Sequence, residues 1–492
     1  MPTNRHPPTE NDADAALLAR FGYAQDLHRR MGRFSNFAVS FSIICILAGG
    51  ITAFPTALGA GGGLSIGLGW LVGAAFALVV AVSMAQIASA FPTAGGLYHW
   101  SSTLGNKGYG WVTAWFNLLG LVLVCASVNF GLYDPFFKTL LAPMLGFDTR
   151  QWGPREQFAF LSIVTASQAW LNHHAIGLTT RLLDFSGYLI LVLAVVLAGS
   201  LWVYASGPVD LLRLVTFTNF TGTPGSMWPA STSEPLVFLS GLLLTIYTIT
   251  GFDASAHTAE ETHNAAVNVP KGIVSSVLWS ALFGFVLVAT FALVIPDLAT
   301  AVGQGSGFFA ALLMPLPGGW RLALGVALFV ANYLCALACL LSTSRMLFAL
   351  ARDGGLPFSA AVCRVNPRLK TPPVAIWTAA VSAVLTTLYA DAFAVLSTAC
   401  AVFLYISYVL PIAAGLLAEG HSWTRKGPFD LGLFSKPVAV LAILGGLVLI
   451  FVGIQPPNER VWHFIVGLTG FLAVFWWVGG ERQRFKGPPT VQ

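Results

Sequence analysis

Twelve long apolar stretches recur along the chain, and they decide what it can fold into. They cover approximately residues 37–58, 66–90, 110–142, 157–174, 182–205, 236–257, 273–295, 320–350, 373–390, 393–418, 437–454 and 461–479. A hydrocarbon core of about 30 Å needs roughly 20 predominantly apolar residues per helix. Each stretch therefore predicts one membrane-spanning helix, numbered here spans 1 to 12. Stretches such as "LILVLAVVLAG" are apolar on every side, which excludes the alternating pattern of a spanning β-barrel. With 56% hydrophobic and 9% charged residues, the chain is also far more apolar than a soluble domain. The expected fold class is all-α and integral to the membrane.

One membrane domain is expected over residues 34–480, between an N-terminal tail at 1–33 and a C-terminal tail at 481–492. The first 36 residues hold no apolar core of a cleavable leader, and "MPTNRHPPTENDAD" reads as disordered. An even number of spans puts both termini on one side. Of the 25 Lys and Arg residues, 19 fall on that side and 6 opposite, so both tails are expected in the cytoplasm and the chain in the plasma (inner) membrane. The excess of basic over acidic residues is then topological. It points to membrane lipid and not to nucleic acid as the surrounding partner.

Two spans are interrupted. In span 1, "ICILAGGITAFP" (44–55) places Gly49 and Gly50 inside an apolar run, where each glycine costs a helix about 1 kcal/mol against alanine. In span 6, "LTIYTITGFDASAHTAEE" (244–261) carries Gly251 after a threonine cluster and then Asp253. The two spans are five apart. Two inverted repeats of five helices, about 34–205 and 236–418, with extra helices at about 437–479, would put the interruptions at matching positions. Broken helices so paired mark secondary transporters with a site near the midplane. Unwound backbone in a bilayer is tolerated only where protein or a cavity satisfies it. Freed amides around "AGGI" would suit a carboxylate, and freed carbonyls near "YTIT" an ammonium group. A close-packing face of small residues would also account for Gly49.

Several stretches together resemble the amino acid–polyamine–organocation superfamily of transporters, and within it the amino acid/choline branch that includes GABA and choline permeases. They are "RFSNFAVSFSII" entering span 1, "QIASAFPTAGGLYHW" (86–100), "GFDASAHTAEET" (251–262), "NVPKGI" (268–273) and "SRMLFALARDGGLPFS" (344–359). The resemblance implies the five-plus-five inverted-repeat fold with broken helices 1 and 6, and a central site between spans 1, 3, 6 and 8. It implies that a substrate carboxylate meets the amides of Gly49, Gly50 and Ile51. The amine would meet carbonyls near Ile44 and Cys45 and at Tyr247, Thr248 and Thr250. Ala48 departs from the superfamily, which often has glycine there, and it narrows the backbone's freedom.

Charged and polar residues add detail. Asp253 is expected in the first turn of the second half of span 6, as a cap that stabilises the hinge or as a counter-charge or proton carrier. Tyr247 and Phe252 are placed to gate the cavity, with plain packing the alternative role for Tyr247. His257, Glu260, Glu261 and His263 lack metal-ligand spacing, so no metal is expected. His173 and His174 read as interfacial, and "LGAGGGLSIG" (58–67) lacks the Lys-Ser/Thr of a phosphate loop. Arg345 and Arg352 read as topology anchors in preference to gate ion pairs. Five of the six cysteines lie in spans and read as packing. Some superfamily members carry a lysine in span 5, which is absent here; Ser342 and Thr343 could contribute hydroxyls to a sodium site.

These readings converge on a permease that moves an amino acid such as GABA by alternating access, with a proton or sodium as coupling ion. The alternative is a choline or polyamine transporter of the same fold. No nucleophile, metal or cofactor signature supports an enzyme, and no cofactor is expected.

Overall fold

The computed structural model describes residues 10–205, 207–389 and 393–489; the first nine residues of the expected tail and the last three of the chain lie outside them. No β-strand forms among the described residues. Nine helices there are long and apolar enough to cross a membrane. They cover spans 1, 2, 3, 5, 7, 8, 10, 11 and 12, from Arg33–Thr52 to Glu459–Trp477. Helices also occupy the other three expected spans. Span 4 is Pro154–His174, span 6 begins as the short apolar stretch Glu234–Thr248, and span 9 is Pro373–Tyr389.

The helices sort into two groups. Span 7 (Ala265–Val294) packs along span 2 (Gly62–Ala90) and span 1, and both halves of span 6 join this set. In the second set, span 3 (Lys107–Gly131) packs against span 10 (Phe393–Ala418), span 8 (Gly318–Arg352) and span 9, and span 9 lies on span 4. Span 5 (Ile176–Val203) touches spans 1, 7 and 8 and so bridges the sets. Crossed amides fasten the second set internally. Asn129 of span 3 and Gln168 of span 4 each donate to the other's side-chain oxygen, at 3.1 and 3.0 Å. Such a reciprocal pair satisfies groups that lipid could not.

The N-terminal tail corrects an expectation. Glu10–Arg20 is a helix, so the segment read as disordered is ordered from Glu10 onward. Leu18, Phe21, Tyr23, Leu27 and Met31 are buried beneath the helices. The C-terminal end meets them there. A Cβ on Gly22 would lie 2.5 Å from Pro489, and Lys107 donates to the carbonyls of Arg482 and Phe485, both at 3.0 Å. The first and last described segments thus share one face, called here the terminal face.

Candidate substrate site between two broken helices

Span 1 breaks earlier than the glycines suggest. Arg33–Ile44 stops at Cys45, whose φ of 29° and ψ of 78° leave the helical region, and the helix resumes as Ile46–Thr52. The Gly49 amide donates to the Cys45 carbonyl at 3.0 Å, and Gly50 and Ile51 follow in the same short helix. The amides of Gly49, Gly50 and Ile51, expected to meet a carboxylate, sit inside this helix and past its open first turn. Ala48 is in the same helix, and its carbonyl accepts from Thr52 at 2.8 Å. Gly49 serves a contact instead. A Cβ there would approach Thr248 to 2.9–3.0 Å, whereas one on Gly50 would meet nothing nearer than 3.6 Å.

Span 6 breaks where the sequence places it. Leu243–Thr248 ends at Ile249, and the chain restarts as Ala254–His257 with Asp253 in the capping position. Between them Gly251 adopts φ +95°, a conformation that costs other residues roughly 1–2 kcal/mol. A Cβ on Gly251 would also lie 2.2 Å from Ile43. The two breaks are thus pressed together. Tyr405 donates to the Ile249 carbonyl at 3.2 Å, and the Gly251 amide donates to the Tyr408 hydroxyl at 3.1 Å. Thr248 donates to Leu244 at 2.7 Å, and Thr250 donates to Ile246. Ser40 of span 1 donates to the Phe252 carbonyl at 2.9 Å and accepts the Ser255 amide at 2.9 Å.

Asp253 is fully buried, and three elements hold it. Tyr408 of span 10 donates to Oδ1 at 2.8 Å, Asn117 of span 3 donates to Oδ2 at 2.9 Å, and His257 Nε2 lies 3.1 Å from Oδ2. Asn117 also reaches Ser407 at 3.2 Å. Phe252 is buried against Tyr408 and Tyr405, with ring centroids 4.8 and 6.4 Å apart. Tyr247 pairs with Ser127 of span 3 at 3.1 Å.

The buried cysteines gather at the same place. Cys45 adjoins Cys335 of span 8, Cys335 adjoins Cys339, and Cys125 and Cys400 both face Cys339. The Cys335 thiol donates to the Ile43 carbonyl at 3.3 Å, which satisfies an acceptor that the break leaves open. The Cys45 sulfur faces the amides of Leu47 and Ala48. Of the two hydroxyls suggested for an ion, Thr343 donates to the Cys339 carbonyl at 2.7 Å. Ser342 is buried without a hydrogen-bond partner. Sequence reasoning missed Asn117, Tyr408 and Cys335, since each acts from a different helix; the spacing of Asp253 and His257, four apart, was a visible signal.

The terminal face is closed by ion pairs. Arg352 meets Glu260 through two nitrogens, each at 3.0 Å, and Arg345 pairs with Glu261 in full burial. The anchor reading of both arginines is corrected accordingly: their partners lie 84 and 92 residues away, beyond any local pattern. The tail covers this closure. The Arg352 guanidinium sits 3.9 Å from the Tyr23 ring centroid, and Tyr23 and Tyr98 both donate to Asp353 Oδ2, at 2.7 and 2.8 Å. Burial pushes the Asp353 carboxyl up to about 6, against the pull of Arg352 and the two tyrosines. Burial lifts Glu260 too, but Arg352, the Ala94 amide and Arg29 together outweigh it and hold that carboxyl below its ordinary range. His99 beside them is lowered to about 3 by burial and by Arg352.

Two broken helices in contact, set between two helix groups and closed by ion pairs at one face, define a membrane transporter scaffold. Comparison with known proteins agrees. A family model described as amino acid permease matches residues 31–478. The chain is 33% identical to "Amino-acid permease BAT1" of Arabidopsis thaliana, over 97% of this chain and 96% of that one. It is 32% identical to the BAT1 homolog of Oryza sativa subsp. japonica, over 97% and 96%. A protein of Candida albicans named "Putative polyamine transporter" is 27% identical, over 97% and 89%. The chain belongs to the amino acid permease family, within the amino acid–polyamine–organocation superfamily, and is a multi-pass membrane transporter, not an enzyme.

Proposed function

We propose that this chain is a plasma-membrane permease that carries an amino acid by alternating access, with GABA the first substrate to test. The observation that carries this reading is the contact of the two breaks, Gly251 against Ile43, at the junction of the two helix groups. Spans 1, 2, 6 and 7 make one group and spans 3, 4, 8 and 9 belong to the other. Helices five apart in order therefore fall together, as two repeats of five would require. The substrate sits at Ile44 and Cys45, where its carboxylate replaces the weakly accepting Cys45 sulfur at the Leu47 and Ala48 amides. Its amine meets the carbonyls that end the first half of span 6, at Tyr247, Thr248 and Thr250. Tyr247 and Phe252 gate the site, and the terminal face is cytoplasmic.

A cation without a carboxylate, such as choline or a polyamine, is the second reading, and the name of the Candida albicans relative keeps it in view. It would use Asp253 as counter-charge. That carboxylate already faces Tyr408, Asn117 and His257, so an organic cation would have to break a buried network. The test is counterflow in proteoliposomes with radiolabelled GABA, the twenty proteinogenic amino acids, choline and putrescine. Exchange of an amino acid supports the reading. Exchange of choline or putrescine alone would overturn it and transfer the substrate role to Asp253.

A further inference from the structure

The tail helix, the chain after span 2 and the segment between spans 10 and 11 enclose a cavity of about 560 Å³ at the terminal face. Leu17, Phe21, Phe91 and Leu104 give it an apolar lining, and three cations, Arg20, Arg425 and Lys426, line it as well. No acidic side chain lines it among the described residues. Lys426 is already matched: its ammonium meets Glu419 at 2.7 Å and lies 3.4 Å from the Trp423 ring centroid. The guanidinium groups of Arg20 and Arg425 form no hydrogen bond or ion pair with any described residue. The cavity thus holds two uncompensated positive charges beside apolar surface.

The segment after span 10 is folded to present its share of that charge. The Trp423 amide donates to the Ala418 carbonyl at 2.9 Å, and its indole donates to the Arg425 carbonyl at 3.0 Å. The Phe429 amide donates to Ser89 Oγ at 2.9 Å, and that hydroxyl donates to the Ala266 carbonyl at 2.8 Å. This wall is therefore fastened to the end of span 2 and the start of span 7. Another wall is the tail helix, which ends at Arg20 and meets the protein through Phe21, with ring centroids 6.0 Å from Phe91 and 5.7 Å from His99. A few residues beyond the turn, where span 11 begins, Leu433 and Phe434 are 95% and 71% exposed. Lipid is the natural cover for such side chains, so the cavity lies at the bilayer surface. Topological sorting accounts for the sign of these charges. It does not account for their meeting around one apolar-lined cavity.

We propose that this cavity binds the head group of an anionic phospholipid, and that the bound lipid clamps the tail over the closed terminal face. Guanidinium groups suit phosphate oxygens, and the glycerol and first methylenes of the lipid lie against Phe21 and Phe91. Arg20 and Arg425 donate to the same phosphate, so the tail helix and the fixed wall are drawn together. Tyr23, three residues after Arg20, is then held on Arg352 and Asp353. Without the lipid the two arginines face each other's charge across the cavity, and the tail is freer to lift. The site is separate from the two helix breaks, and the proposal stands whichever solute is carried.

The test uses the full chain in detergent, with dioctanoyl phosphatidylglycerol, dioctanoyl phosphatidylcholine and sn-glycerol 3-phosphate as probes. Native mass spectrometry reads occupancy, and hydrogen exchange across residues 15–31 reads the clamp. Each cation near anionic lipid contributes about fivefold in affinity. Two uncompensated arginines should therefore bind phosphatidylglycerol roughly thirty-fold more tightly than phosphatidylcholine, and exchange in the tail should slow as the site fills. In the double variant Arg20→Gln, Arg425→Gln the preference should fall to about one. Both side chains are exposed, which favours an intact fold, and the comparison of the two lipids on the wild-type chain needs no variant. Arg368→Gln removes an exposed arginine from a different loop and should leave the preference unchanged. Equal affinity for the two lipids, a preference that survives in the double variant, an equal loss in Arg368→Gln, or the same protection by glycerol 3-phosphate alone each overturns the proposal.

Discussion

Substituting Glu260 by glutamine unlatches the terminal face. The Glu260 side chain is fully buried, Arg352 is 15% exposed, and two 3.0 Å contacts join them. Removing one charge of a buried pair costs about 3–5 kcal/mol. Glutamine keeps an oxygen for the Ala94 amide, and Arg352 keeps its stacking on Tyr23. The lower end therefore applies, about 3 kcal/mol, or roughly a 100-fold shift toward the open form. The native thiols report it. Cys45, Cys335 and Cys339 are buried behind the closure, whereas Cys363 lies outside the spans and is partly exposed. In a Cys363→Ser background, a membrane-impermeant maleimide is applied to vesicles that expose the terminal face, and the labelling rate is followed by mass spectrometry. Glu260→Gln should raise that rate by roughly two orders of magnitude, and Arg352→Gln should match it. An unchanged rate would refute the argument that this ion pair closes the face.

Other expectations follow from the same geometry. Gly49→Ala, which drives a Cβ into Thr248, should destabilise the detergent-purified protein by about 1–3 kcal/mol. Gly50→Ala should be neutral or better in the same thermal-shift measurement; the reverse order would mean that span 1 unwinds at the glycines. Gly251→Ala combines a left-handed backbone with a clash on Ile43, so it should cost at least 2 kcal/mol or so and abolish counterflow. Asp353 supplies the pH dependence of the closure. Its carboxyl titrates near 6 in the closed form and near 3.9 when solvated. Its contribution is thus fully present below about 4 and is lost as pH rises through 6, a span of about 3 kcal/mol. Hydrogen exchange across residues 15–31, corrected for intrinsic rate, should show stronger protection at pH 5 than at pH 7, and Asp353→Asn should remove the difference.

The apolar periodicity made the helices legible, because burial in lipid leaves the backbone few other forms. Glycine and threonine in span 6 located its break to within a residue or two, since Gly251 takes a φ that other residues avoid. The same reasoning misplaced the break in span 1. There the glycine side of Gly49 is used for close approach to Thr248, and a cysteine takes the irregular conformation. Composition also hid the order in the tail, where few apolar residues at wide spacing, from Leu18 to Met31, are enough to anchor it. The partners of Arg345, Arg352 and Asp253 come from other helices, and no local pattern records which helices will meet. The contact of His257 with Asp253 is the exception, since four residues is one helical turn and the spacing itself brings the two together.

The meeting of Gly22 with Pro489, and of Lys107 with Arg482 and Phe485, has a consequence for how the protein is made. Gly22 and Lys107 wait for residues 482–489 before their contacts are complete. During insertion, the early helices must therefore stand in the bilayer with the terminal face only partly fastened. That fastening falls due only once residues 482–489 have been made, so a chain stopped short of them enters the membrane as a door without its latch.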